Sequence, residues 1–533
     1  MSEAAVFDEL ISEFYKVWFR YHPIAAIFAG VSGYEGLLAA DGDDDVGALA
    51  SWLGNLMVGL QELDYQALDA DRQLDLRLIF DTVAIEHRTL LEHDWRHRDP
   101  ARYLPLRALQ ELVVRQPEHF CEAMRGLLES TPNCLRRARG RLAELPETVS
   151  SLWLADALEG IDTGLPWLRQ LGGELPQTRE CCAEQGRMQA LLGEVVEAIA
   201  DYREFLVKAL APRVAGTADC GSELVEHLLL HRHQLKLTSE DALHMARLVQ
   251  ARIQQQLEEQ GMQTDRLGEQ LAELPRLQGE ARLRAYREES DRLKAFVIEQ
   301  GLLVPPHQPL ELRQIAGYYS PHECTSYMRS EHGGVFLIPA GDDTPLAEGL
   351  AEIRLRLLYG GWAGRHFLTW SGGVEGYSLV RQINPSAAFK RGWAHYLSHL
   401  LEARDYFDEA DLRLLAFRRL ALAEQAVVDL EYHLGRIDAR RALARLQGLS
   451  ETPGWAESSL TALARRPTDA FMALLGNAMI QTTRRVVGER QPTLGPSQFH
   501  SQLLAHGAVS LPLVVRRVYG DEVWQRVSDE VLT

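Results

Sequence analysis

No apolar run of about 18 charge-free residues occurs in this chain, which excludes a membrane-spanning helix. Cysteine is scarce. Cys121, Cys134, Cys181, Cys182, Cys220 and Cys324 fall in no metal-ligand spacing, so no cysteine-built metal site is expected. The adjacent Cys181 and Cys182 read as reduced thiols, and the first residues lack the basic and apolar stretches of a secretory signal. Both readings predict a cytoplasmic location. Positive charge is short, with 56 Lys and Arg against 75 Asp and Glu and a net charge of −19. That balance excludes a nucleic-acid surface and disfavours anionic lipid. A Gly-x-Ser-x-Gly elbow, a phosphate loop and a dinucleotide fingerprint are also missing. The Gly-rich stretch 372–376 lacks the Lys or Ser/Thr of a nucleotide loop and reads as a helix breaker after Trp370. No Pro/Gly/Ser-rich linker divides the chain, so residues 1–533 are expected to form a single domain. Its N-terminal part would be 1–309 and its second part 310–533.

What is present is helical patterning. At 46% hydrophobic and 25% charged residues the chain has ample core-forming sequence. Apolar positions recur at helical spacing over Val6–Tyr21 and Asp71–His93, and helix-like runs cover Leu346–Leu358 and Ala387–Ala403. Ser239 reads as an N-cap ahead of Glu240 and Asp241. His227, His231 and His233 could suggest a metal site, but a basic exposed turn before the Ser239 helix is the plainer reading. Two short strands around a turn are expected from Tyr318-Tyr319-Ser320-Pro321 and from Gly333 to Pro339. Such a strand could pair with an extended peptide or simply form a structural ribbon.

The most informative stretch is Tyr359-Gly360-Gly361-Trp362-Ala363-Gly364-Arg365-His366, followed by Phe389-Lys390-Arg391-Gly392-Trp393-Ala394-His395-Tyr396. Further along come Asp429 and His433 at i,i+4, on one helical face. With Pro23, Ala25, Gly30 and Tyr34 near the start, these segments resemble the bacterial "domain of unknown function 885" family. The resemblance spans nearly the whole chain and is densest after residue 310. It implies a zincin-like, mainly α fold: a large helical unit with a small β ribbon near residues 314–340.

The family carries His-Glu-x-x-Pro-Gly-His-His where this chain has Tyr359, Gly360, Ala363, Gly364, Arg365 and His366. A downstream Phe-x-Glu-Gly-Trp-Ala-x-Tyr-x-Glu becomes Phe389 to Ser398, with Arg391 and Ser398 in place of the two glutamates. Zincin chemistry needs imidazoles on the metal and a glutamate as general base. The resemblance therefore implies a degenerate site with no catalytic residue, no cofactor and no resident metal. Trp393 and Tyr396, which match the family, are expected to be buried. The expected function is an inactive metallopeptidase-like protein with a cleft for a peptide or small carboxylate, or an accessory subunit. Arg365, His366, Arg391, His395, Asp429, His433, Tyr318 and Tyr319 are the candidate ligand-binding residues. His395, His399 and Glu402, at i, i+4 and i+7, are the fallback metal set. The alternative is an enzyme with a remodelled site using His366, His395, Glu375 or His433. An active paralogue or a second copy of the chain is an open partner; nucleic acid and membrane are not.

Overall fold

The structure, a computed structural model, describes residues 2–532 apart from 174–178, 263–267, 269–270, 272, 316–326, 331–332, 340–346, 372–376 and 450–453, with no side-chain detail at 179–184. Helices make up 74% of it, with small sheets between them. Mainly α patterning predicted that architecture. Tyr318, Tyr319, Glu375, Cys324 and residues 372–376 lie outside the described residues, as do the side chains of Cys181 and Cys182. Two compact units divide the chain: Met1–Ala218 with Ile315–Pro321, and Asp219–Gln314 with His322–Thr533.

In the first unit the expected helices are α1 (Glu3–Tyr21) and α2 (Ala70–Glu92). Each starts where a side chain accepts orphan N–H groups. Ser2 takes that of Ala5, and Asp69 takes those of Asp71 and Arg72. The unit's core lies among α3 (Phe120–Glu144), α4 (Ser151–Leu171) and α5 (Arg179–Phe205), where Met124, Leu127, Ala138, Ile161, Val195 and Ile199 are buried. Buried Asp41 accepts from Arg137 at 2.7 Å and Arg141 at 2.9 Å, so its charge is paired twice. Cys121 on α3 is disulfide-bonded.

The second unit opens with α6 (Gly221–His231) and α7 (Ser239–Glu259). The cap of α7 is Thr238, not Ser239, because Thr238 and Asp241 exchange both hydrogen bonds of a capping box. Ser239 instead donates its hydroxyl to Glu226. The expected exposed histidine turn is only partly that, since His233 is buried. After β1 (Arg276–Leu277) and α8 (Gly279–Glu299) comes a three-stranded sheet of β2 (Leu310–Ile315), β3 (Tyr327–Ser330) and β4 (Gly333–Pro339), ordered β2-β4-β3. Strands β3 and β4 run antiparallel with Tyr327 opposite Phe336. All of β4 is buried, which explains its unbroken apolar run.

The run predicted as helix over Leu346–Leu358 is helical only over α9 (Leu350–Gly360). Glu348 and Gly349 form β5, which pairs antiparallel with β1. Glu348 is held there because its carboxylate takes the buried guanidinium of Arg282 and the hydroxyl of Tyr286. The run predicted over Ala387–Ala403 also divides, at Arg391, into α10 (Ala387–Lys390) and α11 (Gly392–Glu402). Helix α12 (Glu409–His433) is buried on nearly every side and is the unit's centre, packing on α7 and on α13 (Asp469–Arg490).

Glycine allows α10 and α11 to lie close against α13. A Cβ at Gly476 would stand 2.6 Å from Ala388 Cα and 2.7 Å from its carbonyl oxygen, both backbone atoms that cannot rotate away. Gly476→Ala should therefore separate these helices and lower stability by ~1–3 kcal/mol, read as a shifted urea midpoint. An unchanged midpoint would show that the two helices have room between them.

Candidate functional site

Helix α9 stops at Gly360, and the backbone leaves helical geometry at Gly361 and Gly364. A Cβ on Gly364 would fall 2.2 Å from the Tyr359 carbonyl oxygen, so the chain folds back on the helix end only with glycine there. Tyr359, the last full side chain of α9, sets its hydroxyl 3.0 Å from His395 Nε2, ring edge to ring face. His366 is fully buried and uses both ring nitrogens. Nε2 donates to the Gln308 carbonyl at 2.9 Å, and Nδ1 faces the Tyr327 hydroxyl at 3.3 Å. Tyr327 also accepts the Trp370 indole N–H at 3.0 Å. Burial holds His366 neutral, its pKa lowered to about 4.

On α11, Trp393 and Tyr396 are buried, as expected. Trp393 donates its indole N–H to the Ala363 carbonyl at 3.0 Å and stacks on Phe367. Tyr396 and His500 meet at 2.7 Å, and His500 Nδ1 donates to the Leu302 carbonyl. His395 is buried among cations, and burial first, then Arg391 and Arg419, drive its pKa well down.

Asp429 and His433 share a face of α12, yet their nearest atoms are 3.7 Å apart and each has other partners. Asp429 accepts the backbone N–H of Thr468 at 3.1 Å and of Ala470 at 3.2 Å, so it caps the start of α13 from another helix. Burial pushes its carboxyl up to about 8 against the pull of those donors. Thr468, the residue so held, has φ of 71°, a left-handed conformation unusual for a β-branched side chain. Its hydroxyl also takes the Nε2 of buried His233 at 2.8 Å. His433 donates Nε2–H to the Leu463 carbonyl and accepts the Cys220 N–H.

The remaining groups are cations. Arg365, Lys390 and Arg391 are half-buried, while Arg232 and Arg466 are exposed. Their charges act on one another. Burial first, then Arg466, lowers the pKa of both Arg365 and Arg391. Burial and Arg365 lower Lys390 to about 8, with Arg466 and Arg232 adding to the shift. Arg391 donates at 2.8 Å to the Gln425 side-chain oxygen, a neutral acceptor that Ser459 orients from its other end. Among the described residues, neither Arg365 nor Lys390 has a hydrogen bond or ion pair from its charged group. Asp469 and Asp429 act on the cluster from a distance, but neither forms an ion pair with any of the five cations. Half-buried cations without carboxylate partners are costly unless an anion joins them.

Residues 23–518 match the family described as bacterial protein of unknown function (DUF885). The chain belongs to that family. Two solved structures share the fold of this DUF885 protein. One is a candidate lipoprotein of unknown function from Shewanella oneidensis, with a TM-score of 0.69, 14% identity, and coverage of 97% of this chain and 99% of that one. The other is a candidate lipoprotein from Colwellia psychrerythraea, with a TM-score of 0.75, 14% identity, and coverage of 100% and 99%. No curated protein matches the chain. Among the described residues, no helix is long and apolar enough to cross a membrane.

The residues at the positions where the motif resemblance placed zinc ligands and base do not fit a zinc ion. The Tyr359 hydroxyl is on His395, Gly360 has no side chain, His366 spends both nitrogens, and Arg365 and Arg391 repel a dication. The fallback set is committed elsewhere as well, although His399 and Glu402 lie 3.9 Å apart. Glu402 pairs with Arg419 at 2.6 Å, His399 faces Asn477, and His395 faces Tyr359. No three His, Cys, Asp or Glu converge as a metal site among the described residues. Sequence reasoning named Arg365 and Arg391 but missed Lys390, Arg466, Arg232 and the neutral partner Gln425. Lys390 stood beside Arg391 in the motif itself, and two adjacent cations entering an apolar helix were the available signal.

Proposed function

We propose that this DUF885 protein is a non-peptidase member whose cation cluster of Arg365, Lys390 and Arg391 binds an anion, the carboxylate of a peptide or of a small acid. One observation carries the reading: Arg391 is bonded to a neutral amide, while Arg365 and Lys390 have no hydrogen bond or ion pair from their charged groups among the described residues. Guanidinium groups present forked donors that match a carboxylate in two places at once. The exposed Arg232 and Arg466 add positive potential where a ligand would approach, in a protein otherwise strongly acidic. The nearby carboxylates are engaged elsewhere, Glu402 with Arg419 and Asp429 with backbone N–H groups.

Calorimetric titration with short peptides and with succinate tests the reading. Wild type should bind at least one of them, and Arg391→Glu should weaken binding by about tenfold or more. No binding of any carboxylate by a folded wild type would remove the cation cluster as a ligand site and leave the accessory-subunit reading. The compartment is a separate matter. The Cys121 disulfide fits an oxidising compartment better than the cytoplasm, and the likeness to candidate lipoproteins agrees with that.

A further inference from the structure

The histidines at the end of α6 and just past it take no part in the anion-binding reading, and the fold separates them. His233 is buried beyond the helix, with its Nε2 on the Thr468 hydroxyl at 2.8 Å. His227 and His231 stay together in the last turn of α6, both half-buried and so reached by solvent. Their ring centroids are 4.4 Å apart and the ring planes meet at 48°. Helical geometry brings them together, because residues four apart lie one above the other on one face.

We infer that His227 and His231 form a two-imidazole binding site for a divalent transition metal ion of the zinc type. The site is independent of the anion-binding reading. Imidazole is a preferred ligand of such ions. With metal–nitrogen bonds of about 2.0–2.1 Å, two imidazoles in neighbouring positions on one ion have centres roughly 4.5–5 Å apart. The observed 4.4 Å is within a small side-chain rotation of that arrangement. The backbone need not move, since the helical turn already sets the spacing.

The charge around the pair favours a cation. His231 ends α6, where the carbonyl end of a helix carries partial negative charge. Glu223 and Glu226 add two carboxylates to the same helix, which contains no Lys or Arg. Arg232, the next residue, opposes them, but it is exposed and water screens it. No third His, Cys, Asp or Glu converges on the pair among the described residues. A closed structural zinc site has four protein ligands, so this one keeps positions open for water or for a donor group of a ligand.

The test uses the full chain, freed of metal by a chelator, with Zn²⁺ and Mg²⁺ as probes. Calorimetry should find one Zn²⁺ bound per chain and no Mg²⁺, which takes oxygen ligands. His227→Gln and His231→Gln, checked for folding by circular dichroism, should each lose Zn²⁺ binding, since one imidazole does not hold the ion. A second measurement needs no variant. Zn²⁺ should protect His227 and His231 of wild type from diethylpyrocarbonate, read by peptide mapping, and leave the exposed His119 as reactive as before. Absence of Zn²⁺ binding by wild type overturns the site. So does Zn²⁺ that binds both variants as well as wild type, or that leaves both imidazoles open to the reagent.

Discussion

Replacing Trp393 by alanine should destabilise the second unit by ~3–5 kcal/mol, the cost of deleting a large core aromatic and leaving its cavity. The side chain is 0% exposed. Its ring lies on Phe367 with centroids 5.8 Å apart, and His500 meets its face edge-on at 5.2 Å. Two costs therefore add. The cavity opens among rings that cannot collapse easily, and the Ala363 carbonyl loses its only indole donor at 3.0 Å. That carbonyl belongs to the bend between Tyr359 and Arg365, so the site should loosen with the core. Trp393→Phe separates the costs, because it keeps most of the packing and removes only the hydrogen bond. It should fall near ~1–3 kcal/mol. Urea unfolding of both variants is the measurement, and a loss below about 1 kcal/mol for the alanine variant would contradict this packing.

Acid should unfold the protein well before its carboxylates titrate. Burial lowers His233 and His500 to about 3 and His366 to about 4, and holds His395 well below its ordinary value. In the unfolded chain each returns to the ordinary value of 6.5. Below that value the unfolded chain binds protons that the folded chain refuses. Stability is thus fully present above pH 6.5 and is lost as pH falls towards 4 and 3. Each such histidine contributes about 1.4 kcal/mol per pH unit of that window. Asp429 has the opposite sign. Its raised pKa makes the folded chain hold a proton between about 8 and the ordinary carboxylate range, so it gains stability as pH falls. The three histidines at about 3 and 4 against one aspartate leave a net loss on the order of 3 kcal/mol between pH 7 and pH 5, to which His395 adds. Urea midpoints at pH 7, 6 and 5 decide it. A flat profile would mean that the imidazoles are charged inside the fold.

Periodicity was enough to place the long helices. The apolar spacing of Val6–Tyr21 and Asp71–His93 has one buried face, and burying one stripe of a helix depends on little beyond its own residues. Matching Trp393 and Tyr396 to the family motif was also enough to predict their burial, because large aromatics within an apolar helix have few other stable places. The same local rules failed where a partner far along the chain changed the balance. Glu348 looked like part of a helix and became a strand because Arg282 and Tyr286 hold its carboxylate. His233 looked like an exposed turn residue and is buried because the Thr468 hydroxyl satisfies one of its nitrogens.

Composition, the altered motif and its surrounding register could therefore establish a mainly α chain with arginines where a metal site would need carboxylates and imidazoles. Residue identity alone carries that much, since neither an arginine nor a glycine can replace a zinc ligand. Whether those arginines are neutralised is a property of the folded state. Asp429 shares a helix with Gln425, and spacing along α12 cannot say which of them meets Arg391. The packing of α10 and α11 on α13 decides it. It sends Asp429 to the backbone N–H groups of Thr468 and Ala470 and leaves Gln425 for Arg391. Lys390 gathers the influence of Arg232, Arg365 and Arg466 in the same way, from three separate parts of the chain. Charge–charge energies depend on distance through space and on desolvation, and both are set only once the helices have packed.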